Sequence, residues 1–253
     1  MSNYRVLKNL FRPVYEQVRS TWELYADKPT GHYPIVIQGI QRSGTNYLTT
    51  LLTQSDYRII NKIDPKRSNP SHKHFRWQKN KHSIVMDARY QNNRYVNSLQ
   101  DINKICGYKP DLKHIVLFRT PEKWLNSIYR WGLESKWFKN EDEFFAQNLH
   151  IAYLKEWDAY YSFWQKTAAQ TPNQVLLMSY ERLIAESELG LSKIDQFMGV
   201  VRHSTDNLIY SVDKVRHSRP IVEKRTALNR PELSELLKKT TNFDWHTAME
   251  NSF

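Results

Sequence analysis

Residues 34–47 read Pro34-Ile-Val-Ile-Gln-Gly-Ile-Gln-Arg-Ser-Gly-Thr-Asn-Tyr47. The run from Pro34 to Ile40 is short and apolar beside a glycine, as in a strand buried on both faces. Gln41–Asn46 is polar and tight, and Tyr47–Thr53 reads as a helix. A strand, a tight turn and a helix in that order aim free amide N–H groups at one point and add the positive end of the helix dipole. Gly44 permits backbone geometry that a Cβ would forbid. Arg42, Ser43, Thr45 and Asn46 surround it with donors. The stretch is an anion cradle suited to phosphate or sulfate.

Working outward, Ser83–Asp87, His114–Phe118 and Val175–Ser179 are further apolar strand candidates. Helices are expected at Pro121–Trp131, with Thr120 as N-cap and proline at the first position, at Leu189–Met198 and at Pro231–Lys239. Glu141–Gln170 reads as one long aromatic helix or a helix pair. Short apolar strands alternating with helices predict an α/β fold: a three-layer sandwich around a central, mainly parallel sheet, with a P-loop-like strand–turn–helix. No linker, repeat or low-complexity tract divides the chain, so residues 1–253 are read as one domain. Residues 4–26 form an amphipathic pattern. A helix packed on the body of the fold is preferred to a membrane-surface helix.

Composition narrows the function classes. Hydrophobic residues at 40% and charged residues at 25% exclude wholesale disorder. The single cysteine, Cys106, excludes a disulfide-stapled fold and leaves too few ligands for a Cys-based zinc site. No apolar run approaches the roughly 18 residues needed to span a bilayer, and no signal-peptide h-region opens the sequence, so cytoplasmic residence is expected. Lys and Arg number 37 against 26 Asp and Glu, a net charge of +11. That excess favours anionic partners without choosing among them.

The spacing Gly39-x4-Gly44-Thr45 nearly matches the nucleotide-triphosphate P-loop, but the lysine after the second glycine is missing. The cation stands instead at Arg42. A triphosphate enzyme needs that lysine and a held Mg²⁺. A transferred sulfuryl group carries a single negative charge, so no metal is required. A second anion site is expected at Arg119-Thr-Pro-Glu-Lys-Trp-Leu-Asn-Ser127. Arg119 ends a strand and Ser127 lies two turns into the next helix. An arginine fork plus a hydroxyl suits a phosphate monoester at the carboxyl edge of the sheet, where open α/β sheets bind ligands.

The pair Arg42-Ser-Gly-Thr45 and Arg119…Ser127 resembles the two cofactor motifs of sulfotransferases that use 3′-phosphoadenosine-5′-phosphosulfate (PAPS). Val175-Leu-Leu-Met-Ser-Tyr-Glu-Arg-Leu183 is similar to that family's strand ending in Tyr-Glu-x-Leu. The three occur in family order over about residues 34–185. The resemblance implies a PAPS-binding α/β fold, of the sulfotransferase and nucleoside-kinase kind, that transfers sulfuryl to an acceptor hydroxyl or amine. It places Arg42, Ser43, Gly44, Thr45, Asn46 and Tyr47 on the 5′-phosphosulfate. Arg42 stands where many members have Lys, and Tyr47 where cytosolic members have an adenine-stacking Trp. Arg119 and Ser127 would hold the 3′-phosphate, and Tyr180 falls near the adenine or is a buried structural Tyr.

The family commonly places a His or Glu base between the two cofactor motifs. Ser71-His-Lys-His-Phe75 lies there, and His74 is preferred to His72; Glu134 is the glutamate candidate. Lys73 would add charge stabilisation. The rival reading is a basic rim of Lys66, Arg67, His72, Lys73 and Arg76. The late Arg-Lys-Gly-x-x-Gly segment of cytosolic members is absent, since no glycine follows Gly199. Arg216, Arg219, Lys224 or Arg225 would then close over the phosphates, or form a solvated loop. Trp124, Trp131 and Trp137, with Tyr153, Trp157, Tyr160, Tyr161 and Trp164, are read mostly as core. Any exposed near the cleft would suit sugar rings, so a carbohydrate hydroxyl is the first acceptor. The alternatives are a P-loop kinase or NTPase, a basic nucleic-acid-binding protein, and an inactive cofactor binder. Oligomeric state is not encoded in any motif.

Overall fold

Ile-Val-Ile at residues 35–37 and Ile-Val-Leu at 115–117 put apolar side chains on both faces of neighbouring strands, which calls for a sheet covered twice. The computed structural model describes residues 33–62, 70–77, 96–201, 228, 233, 235–237 and 241–252. Four strands, β1 (Tyr33–Gln38), β2 (Tyr57–Ile59), β3 (Lys113–Phe118) and β4 (Val175–Ser179), pair in parallel in the order β2-β1-β3-β4. The helices are α1 (Thr45–Gln54), α2 (Leu99–Cys106), α3 (Pro121–Glu134), α4 (Glu141–Ala146), α5 (Leu149–Gln170), α6 (Tyr180–Ala185), α7 (Ser187–Met198) and α8 (Trp245–Glu250).

The strand period of two divides the interior. Ile35, Ile37, Ile115, Leu117 and Met178 pack with Leu48 and Leu51 of α1, Leu183 of α6, and Leu191 and Ile194 of α7. Val116, Phe118 and Val175 face the other way, onto Leu125 and Ile128 of α3 and Trp157, Tyr161 and Trp164 of α5. The result is the expected α/β three-layer sandwich. Glu141–Gln170 resolves into a helix pair, α4 and α5, broken at Asn148, which holds a left-handed φ of 53°.

Topology places the site. From β1 the chain turns to β2 on one side and to β3 on the other. The carboxyl ends of β1 and β3 therefore flank a topological switch point, where such sheets bind ligands. Residues 39–44 and 119–120 follow those two ends. The edge strand β2 and the helix α2 were not anticipated. The strand expected at Ser83–Asp87, the helix at 4–26, and Lys66, Arg67, Arg216, Arg219, Lys224 and Arg225 lie outside the described residues. No described helix is long and apolar enough to cross a membrane.

Candidate active site

The turn after β1 is built from inside. Ser43 is fully buried, and its N–H and Oγ–H both donate to the Ile40 carbonyl, at 3.2 and 2.7 Å. The structure thus uses the Ser43 side chain to close the turn. Arg42 holds φ 71° and Gly44 φ 94°. These two left-handed residues turn the chain sharply between β1 and α1, and only at Gly44 is that backbone free of a Cβ penalty. Gly44 is also the N-cap of α1, with no side-chain cap and no acidic residue in the first turn. Among the described residues the amides of Gly44, Thr45 and Asn46 donate to no backbone acceptor. The helix thus presents unpaired donors and an unneutralised dipole.

The two sequence-predicted anion sites meet directly. Arg42 Nε donates to Ser127 Oγ at 3.0 Å, across 85 positions of sequence. Arg119 follows β3, with its guanidinium carbon 5.2 Å from the centre of the Tyr180 ring and its Nε 3.5 Å from Glu181 Oε1. Tyr180 opens α6 and packs against Gly44, where an added Cβ would lie 2.1 Å from its Cδ2. Tyr47 meets Tyr180 edge-on at 6.3 Å. Arg42, Ser127, Gly44, Tyr180 and Arg119, all expected from the sequence, thus lie together at the carboxyl ends of β1 and β3. Tyr47 differs from its sequence reading: it is buried in the core, and its hydroxyl is 2.6 Å from Ser187 Oγ. Thr45 is buried, while Asn46 is exposed and accepts from Lys73 Nζ at 2.8 Å.

That lysine ties the second loop to the first. The Gly39 N–H donates to the Lys73 carbonyl at 3.2 Å. In return His74 Nδ1 lies 2.6 Å from the Gly39 carbonyl oxygen. A carbonyl only accepts, so Nδ1 carries the proton and Nε2 keeps its lone pair. Among the described residues Nε2 has no hydrogen-bond partner. Burial, then the neighbouring His72, Lys73 and Arg76 charges, push the His74 pKa well below the ordinary imidazole value, with the Gly39 bond opposing. The His74 ring is therefore neutral at pH 7. His72 is buried and its Nδ1 accepts the His74 N–H at 2.9 Å, so one of its ring nitrogens is engaged in the segment's own backbone. Glu134 is exposed at the last position of α3, about 20 Å along the helix axis from its start at the site.

Sequence reasoning missed three residues here. Glu181 brackets the start of α3, accepting from Thr120 N and Oγ1 at 3.3 Å each as well as pairing with Arg119. Arg76, read as part of a basic rim, is buried against Glu156 of α5. The available signal was a pair of carboxylates, Glu156 and Asp158, inside an aromatic helix, since buried charges come with partners. The aromatics read mostly as core take that place: Trp124, Tyr153, Trp157, Tyr160, Tyr161 and Trp164 are all buried. Trp131 and Trp137 are half-buried against each other at 4.6 Å. Among the described residues no group of three or more His, Cys, Asp or Glu could hold a metal.

A family model for the sulfotransferase domain matches residues 33–253. No curated protein matches the chain. Similar solved structures include a sulfotransferase from Alicyclobacillus acidocaldarius, 15% identical over 83% of this chain and 90% of that one, with a TM-score of 0.49. A mouse sulfotransferase complexed with PAP is 12% identical over 92% and 93%, with a TM-score of 0.46.

Proposed function

This chain belongs to the sulfotransferase family, enzymes that draw sulfuryl from PAPS, and from that premise we propose that it transfers the group to a carbohydrate hydroxyl with His74 as base. The observation that carries the reading is the Arg42–Ser127 hydrogen bond, which joins the two anion motifs into one clasp. The residues suit the nucleotide. An uncapped helix start faces one anionic end, and an arginine beside a tyrosine ring faces the other.

When bound, PAPS supplies the sulfuryl group, whose bond to the phosphate oxygen breaks as the acceptor oxygen attacks sulfur. His74 Nε2 takes the acceptor proton. The ring is held for this by its Nδ1–H on Gly39, which fixes both tautomer and direction. The free amides of residues 44–46 and the Arg42 guanidinium stabilise charge on the leaving oxygen. Lys73 adds a cation at the same loop. Arg119, Ser127 and Tyr180 hold the 3′-phosphate and adenine end. The family chemistry assigns the metal no role, in keeping with the arginine in place of a P-loop lysine.

Net charge and the cations of the site support an anionic glycan acceptor; the buried aromatics do not add to that support. One domain spanning the chain, working in the reducing cytoplasm, is consistent with the lone Cys106. The test is calorimetric titration with adenosine 3′,5′-diphosphate (PAP), without metal. Micromolar or tighter binding that collapses in Arg119→Ala supports the clasp, and no heat in either protein removes it. Turnover of PAPS against a panel of polysaccharides and simple phenols then decides the acceptor class.

A further inference from the structure

We infer that the buried Arg76–Glu156 pair is the positioning device of this site, one guanidinium anchored on α5 fixing both the anion loop and the histidine segment. Arg76 is 8% exposed and Glu156 5%. Each edge of the guanidinium has its own task. Nε donates to Glu156 Oε1, Nη1 to the His74 carbonyl at 3.1 Å, and Nη2 to Gln41 Oε1. Gln41 belongs to the turn after β1, and its carbonyl accepts the Trp124 Nε1–H of α3 at 2.7 Å. A single planar fork therefore ties together the base segment, the loop, and through Gln41 the helix that carries Ser127. Lysine, a point donor on a flexible stem, cannot reproduce three divergent bonds.

Stability does not account for the pair. Two charges taken out of water lose hydration that their attraction barely returns, and apolar replacements of equal volume are often neutral or stabilising. What the pair contributes is geometry, and a local charge balance around His74. The charged groups acting on that ring are His72, Lys73 and Arg76 from its own segment, and Glu156 of α5 reaches it through Arg76. The Arg76 cation lies 5.7 Å from the Tyr160 ring. Arg76 is among the charges that lower the His74 pKa, and Glu156 is the carboxylate paired with that cation.

The inference rests on the His74 reading, and the experiment separates the two. The His74 ring is followed by ¹⁵N NMR titration in the wild type, Glu156→Gln and Arg76→Met, with kcat and PAP affinity measured in parallel. Glu156→Gln leaves the cation unopposed and moves the ring's titration to lower pH. Arg76→Met leaves the carboxylate unopposed and moves it to higher pH, each by about half a unit or more. Shifts of opposite sign support the proposal; none, or shifts of one sign, overturn it. Should the single variants not fold, the Arg76→Met/Glu156→Met protein decides. Folded, with kcat down at least about tenfold and PAP affinity lowered as well but by less than kcat, it supports positioning of both segments. Wild-type kcat, or failure of this double variant to fold, overturns it. His74→Asn with undiminished turnover would defeat the base assignment alone, leaving the ring titrations of the other variants to stand or fall separately.

Discussion

His74 carries its proton on the nitrogen that faces Gly39, which leaves the lone pair on the other. Replacing it by Asn keeps a donor toward Gly39 and removes the acceptor. Turnover should fall on the order of 10²–10⁴-fold with PAP affinity retained, measured by single-turnover kinetics and calorimetry. Because burial depresses the His74 pKa, the base is already deprotonated near pH 6.5, and the acid limb of the kcat profile should lie below that. Gly44→Ala is expected to fail in two ways. Its φ of 94° is strained for any side chain, and the new Cβ would drive Tyr180 off the loop. Loss of about 1–3 kcal/mol in stability should accompany weakened PAP binding. His114, unconnected with the chemistry, contributes to acid stability. It is fully buried beside Asn103, and burial pulls its pKa to about 3. The unfolded chain binds the proton near pH 6.5, so stability is full above that value. It should decline by about 1.4 kcal/mol per pH unit as pH falls from 6.5 toward 3. Urea titrations of the wild type and His114→Gln should differ in that slope.

At the scale of elements, α1 works because its start lacks a negative cap. Asn46→Asp supplies one on the exposed first turn. It should stabilise the unliganded protein by about 0.3–1 kcal/mol while weakening PAP binding several-fold, an effect that fades in high salt. Hydrophobic run length and the Gly39–Gly44 spacing made β1, β3, β4 and α1 legible, since these elements are buried and punctuated. β2 has three residues, too few to show a pattern. α2 is delimited by other means. Ser98 and Asp101 form a capping box and Gly107 ends the helix in the left-handed region, signals that strand-and-helix periodicity passes over. Tyr180 reads as the end of a strand, yet it begins α6, because Ser179 Oγ accepts the Arg182 N–H at 3.4 Å and caps the turn.

The assembled molecule decides what residue types alone leave open. Arg76 looks like one more surface cation until α5 brings Glu156 to it, and Tyr47 looks like a stacking ring until α7 supplies Ser187. Contacts across 80 and 140 positions have no local signature. The C-terminal segment is a further case. Asp158 accepts the N–H groups of Asn242 and Phe243 and the Asn242 side-chain amide at 2.5, 2.8 and 2.8 Å. Asp158→Ala should therefore cost about 2–4 kcal/mol, read by denaturant melts.

Farther along the same segment, Ser252 Oγ takes the N–H of Ser179 at 2.9 Å, and the Met249 and Glu250 carbonyls take the Arg182 guanidinium. Ser179 Oγ in turn lies 3.3 Å from Glu181, the carboxylate on Arg119. Translation adds 73 residues after Ser179 before this brace exists. A ribosome-bound chain that has emerged only through α7 holds the Arg42–Tyr47 loop, Arg119, Ser127 and Tyr180, yet the C-terminal brace on β4 beside Glu181 is still missing. Nucleotide capture should therefore mature late in synthesis, after the pieces that do the capturing.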